Sequence, residues 1–101
     1  MFGRNRFAQI VDAQLELFAR ENRDLMDEAH ERLASYNRAE RGEAEELYGD
    51  YLDSIEAGTE ILAEMRDHYA ATLAEPEQYL RAFNRGVARR LAPFALELEN
   101  R

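Results

Sequence analysis

Apolar and small residues recur at alternating spacings of four and three through the middle of the chain: Ala44, Tyr48, Tyr51, Ile55, Gly58, Leu62, Met65, Tyr69 and Thr72. That period keeps one side of a helix turned toward other helices and predicts a single helix over about 41–74. At about 1.5 Å per residue such a helix is a rod of roughly 50 Å, and a rod cannot bury its own face. Leu47, Leu52, Thr59 and Ile61 widen the stripe, so the rod should touch at least two neighbours. Its opposite side, with Glu46, Asp53, Glu60 and Asp67 at intervals of seven, faces water.

A second stripe precedes it. Phe7, Val11, Leu15, Phe18, Asn22, Leu25, Ala29, Leu33 and Tyr36 follow the same three-and-four spacing and predict a helix over about 4–38. Its weakest stretch as a core element is Arg20 to Asp24, five polar residues in succession, and Asn22 within the seam, set opposite Gly58, is either a local packing adjustment or a register-fixing polar residue. The short link from Asn37 to Gly42 makes the two helices antiparallel neighbours. A turn near residue 40 then sets Tyr36 against Ala44, Ala29 against Tyr51, Leu25 against Ile55, Phe18 against Leu62, Leu15 against Met65 and Val11 against Tyr69. Glu75-Pro76 starts a third helix over about 76–91, with Tyr79, Leu80, Phe83, Val87 and Leu91 as its apolar face. Gly86 weakens it and Pro93 interrupts it, which leaves 93–99 as a kinked extension or a separate turn.

The expected fold is all-α, one helical domain over 1–101: a long antiparallel helical hairpin plus a shorter third helix. The third helix spans only about 24 Å and cannot cover the turn end of the hairpin. Leu25, Met26, Leu33, Tyr36, Leu47, Tyr48, Tyr51, Leu52 and Ile55 are left there as an apolar face. A contiguous face of that kind marks an interface, and two copies joined by a two-fold axis would complete a four-helix bundle. The expected partner is therefore a second copy of the chain, with a further protein as the object of binding.

Composition narrows the function. The 101 residues hold 21 acidic and 13 basic side chains, a net charge of −8, which argues against nucleic acid or an anionic membrane as partner. All the basic residues are Arg. The absence of Cys removes disulfides, thiol catalysis and the common structural zinc sites. No segment has the length and hydropathy of a membrane span, and the opening MFGRNRF lacks the apolar core of a signal peptide, so a cytoplasmic setting is expected.

Candidate chemistry is sparse. His30, with Asp27 and Glu31, and His68, with Glu64 and Asp12 across the hairpin, are the sets able to contribute metal ligands. They lie roughly 27 Å apart along the axis, so one chain cannot bring both imidazoles to one ion. A metal or small ligand shared between subunits is the alternative reading to a binding scaffold. No cofactor is expected. Ser35 and Ser54 sit in no glycine-rich elbow and no phosphate-binding loop is present, so no catalytic residue is assigned and enzymatic activity is not expected. Arg81, Arg85 and Arg89 form a basic stripe that either grips an acidic partner or settles against the acids of the second helix. Ser54, Ala57, Gly58 and Thr59 form a small-residue patch suited to close helix approach or to lodging a ligand. No family motif is present.

Overall fold

A computed structural model describes residues 6–101; positions 4 and 5 of the expected first helix, and most of the opening MFGRNRF, lie outside the described residues. The described chain is helical throughout: α1 (Ala8–Glu21), α2 (Arg23–Asn37), α3 (Ala44–Ala70) and α4 (Glu77–Arg90), then a 3-10 turn (Ala92–Phe94) and a short α5 (Ala95–Glu99). No strand occurs among the described residues. The molecule is elongated, 51 × 23 × 23 Å.

The stretch expected as one helix over 4–38 is two. Asn22 leaves helical geometry at φ −119°, ψ 33°, and both its backbone N–H and its side-chain amide donate to the Phe18 carbonyl, at 2.9 and 3.0 Å. The polar run around it offers no apolar side chain to hold the ladder straight, and an Asn side chain competes for backbone acceptors. The break sends the two halves to different partners. α2 lies along α3, while α1 packs chiefly on α4. The two run in the same direction, since Phe7 meets Tyr79 near their starts and Val11 and Leu15 meet Gly86 further on.

The α1–α4 contact explains the burial of Val11, Leu15 and Phe18 on one side and of Tyr79, Ala82, Phe83, Gly86 and Val87 on the other. Those five positions of α4 follow the spacing of a core-facing stripe. A Cβ at Gly86 would stand 2.8 Å from Val11 Cγ1 and 3.0 Å from Leu15 Cδ1, so the missing side chain is what lets α1 come this close. Val11 and Leu15, expected to face Tyr69 and Met65 of α3, thus lie against Gly86 of α4. Phe18 meets the Phe94 ring edge to face, with centroids 5.9 Å apart. The α2–α3 pairing is set one turn away from the expected register: Tyr36 packs its ring at a tilt against Tyr48 rather than opposing Ala44, and Arg32 donates to the Asp50 carbonyl and the Ser54 hydroxyl, both at 2.9 Å.

α3 is shorter than the expected 41–74, because Ala71 to Glu75 form the turn into α4. Pro93 resolves the end of the chain. α4 stops at Arg90, Leu91 takes φ −138°, ψ 50°, and the 3-10 turn begins at Ala92 with the proline as its second residue. Phe94 then drops into the notch above Gly58, where a Cβ would collide with its ring. Leu98 is fully buried beyond it. The small-residue patch of α3 is thus filled by the chain's own C-terminal segment.

Tyr79 is the largest fully buried side chain. Its ring packs against Phe7, Tyr69 and Phe83, and its hydroxyl donates to Gln14 Oε1 at 2.8 Å. Burial pushes its pKa up to about 12, against the smaller opposing effect of the Gln14 hydrogen bond. The folded protein thus holds the phenol proton more tightly than the unfolded chain does between pH 10 and 12. Stability is therefore unaffected by this group below pH 10 and falls as pH rises through that window, by about 2–3 kcal/mol in all. Thermal melts should show the melting temperature dropping across it, and Tyr79→Phe should flatten the drop while lowering the plateau.

Candidate functional site

The turn end of the molecule carries an exposed apolar surface. Tyr36, Tyr48 and Tyr51 form a ladder, with ring centroids 5.0 Å apart for the first pair and 6.1 Å for the second. Tyr48 and Leu52 are each 42% exposed, and Leu25, Met26, Leu33, Leu47 and Tyr51 are half-buried. The Tyr51 phenol has its pKa raised, first by burial and then by the neighbouring Tyr48. Ile55 differs from the other eight expected interface residues. It is buried at 4%, because the segment after α4 reaches further along the rod than a helix ending at 91 would.

Two hollows flank this ladder. One, of about 190 Å³, opens between α2, α3 and the 3-10 turn and is walled by Met26, Ala29, Leu33, Tyr51, Ile55, Leu91, Pro93 and Phe94, with His30 and Arg90 at its edge. The other, of about 270 Å³, lies between α3 and α5, bounded by Tyr48, Tyr51, Leu52, Ile55, Pro93, Leu96, Glu97 and Asn100. Leu96 was not among the expected interface residues, yet it is 76% exposed. Its only sequence signal was its place two residues before the buried Leu98 in a helix too short to show a period.

A wider open groove of about 1020 Å³ runs between α1 and α3, where the turn of α1 toward α4 leaves Leu17 and Ile61 each 38% exposed. His68 and Glu64 both line it, with Gln14 and Asp67. Asp12 does not join them: its carbonyl and carboxylate are taken by the Arg90 guanidinium, at 3.1 and 3.7 Å. On α2, Asp27, His30 and Glu31 are all exposed. Among the described residues no group of three or more His, Asp or Glu side chains converges in a way that could hold a metal ion. His30 lines the 190 Å³ cavity without Asp27 or Glu31, and His68 lines the α1–α3 groove with Glu64, so the two imidazoles lie in separate hollows.

Arg81, Arg85 and Arg89 are exposed and make no ion pair among the described residues, so they do not settle on the acids of α3. Like Arg32 and Arg90, Arg66 bonds across the fold, although it lies at the end of the acid-rich stretch 40–67. It is 4% exposed, with hydrogen bonds to Asp67 Oδ1 at 2.8 Å, Asn84 Oδ1 at 3.1 Å and the Leu98 carbonyl at 3.3 Å. Those bonds tie α3, α4 and α5 together. The available signal was that Arg66 falls four residues after Leu62 and four before Ala70, on the buried stripe rather than the outer one.

No helix among the described residues is long and apolar enough to cross a membrane. No family model, curated protein or solved structure matches the chain.

Proposed function

We propose that the protein is a non-enzymatic homodimeric helical scaffold, in which the α2–α3 hairpins of two copies combine into a four-helix arrangement that binds a further protein. The reading is supported above all by the exposed ladder at the turn end, Tyr36, Tyr48 and Tyr51 with Leu52 beside them. Aromatic side chains spend little conformational entropy on contact and supply large buried area, which is why they dominate interfaces. The surrounding surface carries carboxylates that keep other faces apart, since the chain's net charge is −8.

Light scattering at micromolar concentration is expected to give a mass twice the 11.7 kDa of one chain. Tyr51→Glu places a carboxylate at the inner end of the ladder, where it borders both hollows and desolvation on pairing would be costly. The expected result is a mass of one chain with helix content retained. A wild-type protein of 11.7 kDa at that concentration would remove the reading.

A further inference from the structure

The open groove between α1 and α3 has two helical walls, an apolar lining and carboxylates that nothing in the chain neutralises. α1 turns away to pack on α4, so Leu17 on one wall and Ile61 on the other are each 38% exposed, with Met65 and Tyr69 half-buried further along α3. Ile10 stands two turns before Leu17 on the same face of α1 and is 38% exposed as well, which extends the apolar wall. From Glu60 to Thr72 the groove follows α3 for about 18 Å, roughly three helical turns. Neither wall offers a strand edge to which an extended segment could add. A backbone that enters such an apolar groove must satisfy its own N–H and C=O groups, and a helix does.

Charge selects which helix. Glu60 and Glu64, one turn apart on the α3 wall, are exposed and enter no ion pair among the described residues. The third acid of the groove and its arginine are matched within the chain: Asp67 accepts from Arg66 at 2.8 Å, and Arg101 pairs with Glu97 at 3.7 Å. Cations on an entering helix meet the two free carboxylates, and acids are repelled by them. The chain's own helices fit poorly. α1 exposes Ile10 and Leu17, but the same stripe continues into the acid Glu21. α4 carries Arg81, Arg85 and Arg89, yet turns Phe83 and Val87 into the core and has no apolar stripe to offer with them. The occupant is therefore a helix of another protein.

We infer that the α1–α3 groove receives a basic amphipathic helix of another protein, with its apolar stripe on Leu17, Ile61 and Met65 and its cations on Glu60 and Glu64. This names the partner for the binding role proposed above and rests on that role, though not on the pairing of two copies. The probe is a synthetic helical peptide of about four turns with a leucine stripe flanked by arginines, titrated by calorimetry. The proteins compared are wild type, Glu60→Gln with Glu64→Gln, Ile61→Ser, and Glu46→Gln with Asp53→Asn, each checked for folding by circular dichroism. The last pair removes the same two charges from exposed positions outside the groove. The peptide is expected to bind wild type with micromolar Kd, and its glutamate counterpart not to bind. Glu60→Gln with Glu64→Gln should weaken binding about tenfold, Ile61→Ser should weaken it too, and the outer pair should change it by less than about twofold. Equal weakening by both charge pairs, no effect of Ile61→Ser, or no binding to wild type overturns the groove. Light scattering separates this from the two-copy reading: a wild type of single mass that binds the peptide supports the groove and removes the dimer, whereas a double mass without binding overturns the groove and leaves the dimer standing.

Discussion

Phe94→Ala is expected to destabilise the protein by about 3–5 kcal/mol, the range for removing a buried aromatic ring from a core. For a domain with a total stability of about 5–15 kcal/mol, that is a large fraction of what holds it folded. The ring is 3% exposed, stands edge-on to Phe18 and fills the notch over Gly58. It is also the point where the chain after α4 is pinned to α3, so its loss loosens α5 together with Leu98. In a domain of this length about 1 kcal/mol moves the melting temperature by roughly 4–8 °C, so calorimetry should show a fall of well over ten degrees. Gly58 provides a second arm. Gly58→Ala places a methyl group inside the Phe94 ring, and the overpacking cost of about 1–3 kcal/mol outweighs or cancels the roughly 1 kcal/mol gained from helix propensity. Paired with Phe94→Leu, the same substitution finds space, so the double variant should be more stable than the sum of the two single losses predicts. Additivity of the two within about 0.5 kcal/mol would show that the ring does not sit on Gly58.

The helical character was legible because the stripes are long and regular, and the position of the α2–α3 turn followed from one short polar link. The course of α1 was not. Phe7, Val11, Leu15 and Phe18 make a face that fits α3 or α4 equally well by period, and the choice is made by Gly86, whose bare backbone gives α1 its closest seat. The sequence marks that glycine only as a weak point of a helix. Asn22 was visible as a polar residue in a seam, but whether it fixes register or ends a helix depends on which partners its two flanks find. Arg66 was hidden by its neighbours: ten acids in 40–67 make any arginine there look solvated, and its burial depends on Asn84 and Leu98 arriving from elsewhere in the chain. The tyrosines of the exposed ladder were readable from the heptad. Leu96 was not, since the exposure of one leucine in a five-residue helix is set by the direction in which Pro93 turns the chain.

Gly86 and Gly49 should respond to the same substitution with opposite signs. Both are helical, Gly49 within α3 and Gly86 within α4, so alanine at either position gains about 0.8–1 kcal/mol of helix propensity. At Gly49 nothing lies within 4 Å of the added methyl, and Gly49→Ala should raise the melting temperature by several degrees. At Gly86 the methyl meets Val11 Cγ1 at 2.8 Å and Leu15 Cδ1 at 3.0 Å. Those two side chains are 2% and 1% exposed, so they have little free space into which to retreat. Gly86→Ala should therefore lower stability despite the better propensity, and Gly86→Leu should cost about 3 kcal/mol or more by forcing α1 off α4. Val11→Ala makes room on the facing side. If the close approach of α1 and α4 is what Gly86 provides, Val11→Ala should recover part of the Gly86→Ala loss although it is itself a cavity-forming change. A Gly86→Ala protein that melts above wild type would place α1 elsewhere, and with it the turn at Asn22 that separates α1 from the hairpin.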